Sequence, residues 1–391
     1  MNEATIQFIL THSDDNPHQL MLHATRYPDV DIAYAVHQIA ARQRIRYKLP
    51  GFYSNPGIEY PQQLSLEQCS SEQTARHKAE LVSGTLLVDL TGGFGVDFYY
   101  MAQRMKQGIY VERRPELCNL ATKNFKQLGL TNYEVINAAA DEIIPDLPHM
   151  DWVFIDPHRR DSTGRKMVLI SDCEPDLNTL VPLLLEKSNN LLVKLSPMLD
   201  LHRALTDLPG TIQVDILAVE NECKELLFVI QKNTLNKDIA IRCFNYTKNR
   251  EVQQVEFWGI KDTTDVEYCT EPLDYLYEPN VALLKSGAYN RIAQRYKLMK
   301  FHPNTHLYTS SECIHNFPGR VFAVVEVKES SRQTYSYLSE RYSSANISVR
   351  NFPMSSDELR KKTRLKDGGD LYIFAFKTFD NQNLITVCKK I

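Results

Sequence analysis

An acid at the end of an apolar run, followed by closely spaced glycines, is the sharpest chemical signal in this chain. Val88-Asp89-Leu90-Thr91-Gly92-Gly93-Phe94-Gly95-Val96-Asp97 follows a strand-like segment and opens a helix-like one. Glycines at such a junction let the backbone turn tightly and approach a ligand that a Cβ would block. The N–H groups that open the helix lack partners within it. Asp89 separates this loop from a dinucleotide fingerprint, because a carboxylate there repels a pyrophosphate but suits the ammonium end of a methionine moiety. The third glycine of G-x-G-x-x-G is also absent, with Phe98 in its place. Asp89, Thr91, Gly92, Gly93 and Gly95 are therefore candidate cofactor-binding residues, although a structural tight turn would use the same residues.

Further candidates end the following apolar runs. Glu112, about 20 residues past the loop, can accept both ribose hydroxyls of an adenosine, and this fits a nicotinamide dinucleotide as well as S-adenosylmethionine (SAM). Asp141, after Asn137-Ala138-Ala139-Ala140, either meets an adenine amino group or caps a helix. Asp156-Pro157-His158-Arg159-Arg160 closes the run Trp152-Val153-Phe154-Ile155. Asp156 can accept a proton or hydrogen bond there, His158 can act as a base near neutral pH, and Arg159 and Arg160 offer forked donors to a phosphate. A basic surface turn is the alternative, and His158 ranks below Asp156. Lys194, after Leu191-Leu192-Val193, either reaches the same edge or extends to solvent. Arg360, Lys361, Lys362 and Arg364 belong to a basic run that can track a phosphate backbone or simply form a solvated helix face.

These residues need strands whose carboxyl ends share an edge. Strands are predicted at 85–89, 108–112, 133–137, 151–156 and 190–195, with helical patterns between most of them. That alternation implies parallel βαβ crossovers. Ile212–Val219 and Leu226–Ile230, joined by the short segment 220–225, predict an antiparallel hairpin that closes the sheet. Residues 1 to about 82 read as helical. Ser70 and Gln73 have capping-box spacing at the start of a helix that stops at Ser83-Gly84. Beyond 233, strands are expected at 239–246 and 252–258 and a helical stretch near 280–299. A compact α+β segment follows, with strands at 320–327, 346–350, 370–377 and 384–388 and helices at 332–342 and 356–363.

Composition bounds the setting. The chain has 391 residues, 43% hydrophobic and 24% charged, enough for a core in two or three domains. Its net charge of −3 excludes a bulk polycation, so nucleic-acid contacts must come from local patches. No apolar run is long enough to span a bilayer, and Met1-Asn2-Glu3-Ala4 lacks a signal-peptide pattern, so no membrane partner and a cytoplasmic location are expected. The eight cysteines are scattered without a C-x-x-C pair, which predicts free thiols and no metal.

Taken together, Asp89 to Asp97, the Glu112 strand end, Asp156-Pro157-His158-Arg159-Arg160 and the lead-in Leu66 to Glu72 resemble the bacterial class I SAM-dependent methyltransferases that carry a C-terminal THUMP-like domain. The resemblance spans nearly the whole chain. It implies an α/β fold with a Rossmann-like domain whose parallel sheet is closed by an antiparallel hairpin. The implied organisation is a helical region at 1–82, the SAM-dependent methyltransferase domain at 83–232, a strand linker and small ferredoxin-like domain at 233–316, and a THUMP-like α+β domain at 317–391. It also implies SAM as cofactor and a structured RNA, tRNA or rRNA, as substrate. Where amino-methylating relatives often carry Asp/Asn-Pro-Pro-aromatic, this chain has Asp156-Pro157-His158-Arg159, so no aromatic stands there to stack a flipped base. The alternatives are a methyltransferase of protein or small molecules, a non-catalytic RNA-binding protein that keeps the fold, and an NAD(P)-dependent oxidoreductase, which Asp89 opposes.

Overall fold

A computed structural model describes residues 2–159, 170–232, 234, 238–249 and 251–391. The chain forms two compact units, residues 1–212 with 227–236 and residues 213–226 with 237–391.

The first unit begins with helices. The spacing of Ser70 and Gln73 predicts a capping box, but Ser71 is the cap, its side chain accepting from Thr74 N at 3.2 Å as the helix Glu72–Leu81 starts. Ser70 is turned inward to other partners instead. The strands that follow are β1 (Gly84–Asp89), β2 (Met105–Glu112), β3 (Tyr133–Asn137), β4 (Met150–Ile155), the short β5 (His158–Arg159) and β6 (Cys173–Glu174), and β7 (Ser188–Leu195). β1 pairs parallel with β2 and β4, β2 with β3, and β4 with β7, while β5 and β6 pair antiparallel by themselves. Leu87, Val88, Val153, Ile155 and Leu191 to Val193 are fully buried, as strands covered on both faces must be. The helix Pro115–Gln127 sends Leu117, Ala121 and Phe125 into this core, and burying a side chain like Phe125 contributes about 1.5–3 kcal/mol.

β8 (Thr211–Val219) and β9 (Glu222–Gln231) are neighbours joined through Glu220 and Asn221, which have φ of 51° and 63°. Two left-handed residues between adjacent strands make a tight antiparallel hairpin, shorter than the connection expected from the sequence. β10 (Ala240–Tyr246) and β11 (Val252–Trp258) were expected in a linker but extend the sheet, β10 pairing parallel with β8 and antiparallel with β11. The order is β11-β10-β8-β9-β7-β4-β1-β2-β3. From β1 the chain proceeds through β2 to β3, then returns to β4 on the other side. The carboxyl ends of β1 and β4 therefore flank the topological switch point, where open α/β sheets bind ligands.

The remaining strands of the second unit are β12 (Tyr275–Pro279), β13 (Met299–His302), β14 (Thr305–Ser310), β15 (Gly319–Glu329), β16 (Asn346–Arg350), β17 (Leu371–Lys377) and β18 (Asn383–Lys390), ordered β13-β14-β12-β15-β18-β17-β16. The helical stretch expected at 280–299 is two helices, Val281–Ser286 and Tyr289–Tyr296, separated at Gly287 with φ of 72°, before β13 begins. The expected helices near 332–342 and 356–363 are present as Arg332–Arg341 and Ser356–Thr363. They cover one face of the sheet through Tyr335, Leu338 and Leu359. Among the described residues, no helix is long and apolar enough to cross a membrane.

Candidate cofactor and acceptor site

The loop after β1 is fixed from beneath. Leu90 N donates to Phe154 O at 3.0 Å and Asp156 N to Thr91 Oγ1 at 2.7 Å, tying the ends of β1 and β4 together. Gly92 passes over the Tyr110 ring so closely that a Cβ would lie 2.2 Å from it. Tyr110 Oη in turn donates to Gly93 O at 2.6 Å. Gly95, with φ of 82°, starts the helix Val96–Ala102 in a conformation that other residues rarely adopt.

Asp89 is 1% exposed and accepts from Thr91 N at 2.9 Å. Burial pushes its carboxyl well above the ordinary range. The Thr91 N–H opposes that rise, and the negative charges of Asp97, Asp156 and Glu112 add to it. Glu112 is also buried: Oε2 accepts from Gly93 N at 2.9 Å, and Oε1 from Arg114 N at 3.0 Å and Arg114 Nε at 3.3 Å. A carboxylate has about four acceptor positions, so roughly one remains for a ribose hydroxyl until the Arg114 side chain moves away. That side chain is 41% exposed.

Asp156 and Lys194 meet across the ends of β4 and β7, with Nζ 2.5 Å from Oδ2. Behind them lies Asp97, whose Oδ2 is 3.7 Å from Lys194 Nζ and accepts from Ser70 Oγ at 2.7 Å. Lys78, fully buried, places Nζ 3.2 Å from Asp97 Oδ1, a Coulombic contact outside hydrogen-bond geometry, and donates to Ser70 Oγ at 3.1 Å. His158 is exposed in β5, opposite Glu174, which pairs with Arg113 at 2.6 Å.

Asp89, Thr91, Gly92, Gly93, Gly95, Asp156, His158 and Lys194 thus line one cleft. Glu112 joins it through Gly93 and Arg114. Asp141 is exposed in the second position of the helix Ala140–Ile143, whose cap residue is Ala139, and is not part of the cleft wall. Arg159 is placed by its backbone in β5, and Arg160 lies outside the described residues. In the second unit, Arg360 is committed to Asp367 at 2.6 Å and to Ala345 O at 3.2 Å, while Lys361, Lys362 and Arg364 are exposed. The sequence reading gave no site role to the far wall: Ser65, Gln68, Cys69 and Ser70 line it, along with Asp97 and Arg114. Burial pushes the Cys69 thiol up, which disfavours the thiolate a nucleophile needs. The only hint in the sequence was a lysine on the same helix face as Ala75 and Ala79, which marks Lys78 as an inward residue.

Residues 275–318 match the ferredoxin-like domain family, and residues 319–390 match the THUMP domain-like family. The crystal structure of a candidate methyltransferase from Porphyromonas gingivalis W83 is 32% identical, with a TM-score of 0.89, over 99% of this chain and 97% of that one. M. capricolum TrmK, solved with S-adenosylhomocysteine, is 17% identical over 41% of this chain and 68% of that one, with a TM-score of 0.31. An rRNA methylase from Streptococcus thermophilus is 13% identical over 41% of this chain and 96% of that one, with a TM-score of 0.33. Overlaps at that level carry no weight. No curated protein matches the chain significantly.

Proposed function

The chain belongs to the bacterial class I SAM-dependent methyltransferases with a C-terminal THUMP-like domain, and from that premise we propose that it transfers the methyl group of SAM to a structured RNA, tRNA or rRNA. The observation that carries this reading is the buried Asp89 carboxyl at the switch point, in the field of three more carboxyls. Asp97, Asp156 and Glu112 each have a cationic partner and Asp89 has none among the described residues, so a ligand's ammonium group supplies the partner Asp89 lacks, whereas the pyrophosphate of NAD(P) would repel it. The cleft also fits the group sterically: a Cβ on Gly93 would meet only Thr91 O, at 3.7 Å, so that side of the loop is open.

In this reading Asp89, Thr91, Gly92, Gly93 and Gly95 hold the amino-acid end, Glu112 the ribose, and Asp141 approaches the adenine. SAM supplies an already activated methyl group, so the protein's task is alignment and removal of a proton. Asp156, fixed by Lys194, receives the hydrogen bond or proton of the acceptor, and His158 at the rim can carry the proton to solvent. Arg159 and Arg160, together with Lys361, Lys362 and Arg364, contact phosphates, Arg360 can join them only on leaving Asp367, and the THUMP-like match supports RNA as the partner. A base inside a helix must first be flipped out.

The test is transfer of labelled methyl from SAM to total cellular RNA by wild type and by Asp156→Ala. Label in RNA with wild type alone supports the reading. Label only in protein or small molecules overturns the RNA substrate, and tight NAD binding without SAM binding overturns the chemistry.

A further inference from the structure

Asp97 sits in the middle of a line of alternating charge, Lys78, Asp97, Lys194 and Asp156, that starts in the core and ends in the cleft. Side-chain exposure rises along it, from 0% at Lys78 to 10% at Asp97, 12% at Lys194 and 30% at Asp156. Only the Asp156 end is substantially open. We infer that Asp97 is a positioning residue that holds Lys194 against Asp156, and that Ser70 and Lys78 of the preceding helical segment hold Asp97 in turn.

Two observations and one physical argument carry this. The contacts form a continuous series: Lys78 Nζ to Asp97 Oδ1 at 3.2 Å, Asp97 Oδ2 to Lys194 Nζ at 3.7 Å, and Lys194 Nζ to Asp156 Oδ2 at 2.5 Å. Ser70 cross-braces it, donating to Asp97 Oδ2 and accepting from Lys78 Nζ. Finally, a buried ion pair adds little net stability over apolar residues of similar volume, because desolvation offsets the Coulombic gain. Four charges arranged toward a cleft are therefore better explained by what they orient than by the stability they add. Lys194, anchored from behind, keeps its place when an acceptor approaches Asp156, and Asp156 keeps the orientation of its second oxygen. The helical segment before β1 is then a working part of the site.

As a role in methyl transfer this rests on the proposed function, so the test has an arm that does not. Asp97→Asn alone removes a carboxylate beside the buried Lys78 charge and can unfold the protein, so the decisive variant is Asp97→Asn with Lys78→Met, which removes both charges of that contact. In the full-length protein, acetylation of Lys194 by acetic anhydride is followed by mass spectrometry against the exposed Lys248. The expected result is acetylation about tenfold faster than in wild type, as for removal of one charged partner. In methyl transfer, kcat falls by about tenfold while KM for SAM stays within about threefold, the pattern of a weakened transition-state alignment. Lys78→Arg, which keeps the charge, retains most of kcat. Unchanged Lys194 acetylation or unchanged kcat overturns the inference. So does a parallel change in kcat and KM, or a double variant that no longer folds, since either assigns the line of charge to cofactor binding or stability. A wild type that neither binds S-adenosylhomocysteine nor transfers methyl defeats the proposed function, while Lys194 acetylation still judges the positioning.

Discussion

Gly92 offers the clearest quantitative prediction. In Gly92→Ala the new Cβ would lie 2.2 Å from Tyr110 Cε2 and 2.3 Å from Cζ. Carbon atoms settle at about 3.5 Å, so loop or ring must yield by about 1.3 Å. The ring has little room: Tyr110 is fully buried, with Phe98 and Phe125 each 5.6 Å away centroid to centroid, and its hydroxyl is bound to Gly93 O. Overpacking of this kind costs about 1–3 kcal/mol, and loss of the Tyr110 hydrogen bond about 1 more, a total of about 2–4 kcal/mol. Because two units need not unfold together, the readout is Trp152 fluorescence in urea in a Trp258→Phe background, Trp152 lying in β4 beside β1. Displacing the loop also pulls Gly93 N from Glu112, so affinity for S-adenosylhomocysteine falls by about tenfold or more. Tyr110→Leu shortens the obstructing ring, and in the double variant the two costs should be less than additive by at least about 1 kcal/mol. A Gly92→Ala protein within about 0.5 kcal/mol of wild type, or strict additivity, would refute the steric argument.

The remaining expectations concern charge. Asp89 has its folded-state value raised above the ordinary 3.8, so its penalty to the cofactor-free fold is absent below about pH 4 and grows as pH rises toward that higher value. Asp89→Asn should thus stabilise the cofactor-free protein at neutral pH but not below about pH 4, as thermal melts across pH will show, while weakening cofactor binding. In wild type, affinity for S-adenosylhomocysteine should rise with pH until Asp89 ionises, with proton release on binding below that point, seen by calorimetry in buffers of different ionisation enthalpy. Arg114→Ala frees an acceptor position on Glu112, so the same calorimetry should find affinity unchanged or higher, with a stability cost below about 1 kcal/mol. Charge reversal at Lys361, Lys362 and Arg364 should weaken RNA binding and flatten its salt dependence by about 0.7–0.9 for each phosphate no longer neutralised, measured by filter binding across salt concentrations.

The central sheet was legible because parallel strands buried on both faces leave short apolar runs, and a charged residue at the end of most of them, Asp89, Glu112, Asp156 and Lys194, marks the ligand-binding edge. Asp89, Asp156 and Lys194 were found this way, and they do share a cleft. β10 and β11 were visible as strands, but their place beside β8 depends on a crossing after the hairpin that local periodicity does not encode. The link between Lys78, Ser70 and Asp97 was not visible for a related reason, although Asp97 closed the glycine motif and Ser70 stood at an expected helix start. Their meaning arises from an ion pair between two helices, at residues 19 positions apart. Ser70 beside Ser71 also offered two equivalent caps, and only its contact with Asp97 shows which one turned inward. Three strands of the second unit were missed: β12 and β14 carry no clean apolar/polar alternation, and β13, Met299-Lys300-Phe301-His302, alternates over only four residues at the end of the stretch read as helical.

The most direct test of the account is a crystal structure with S-adenosylhomocysteine. The amino-acid end is expected beside Asp89 and the glycine loop, with the ribose hydroxyls on Glu112 and the Arg114 side chain displaced from it. Electron density for the ligand elsewhere, or a cleft that stays closed by Arg114 at saturating ligand, would contradict it.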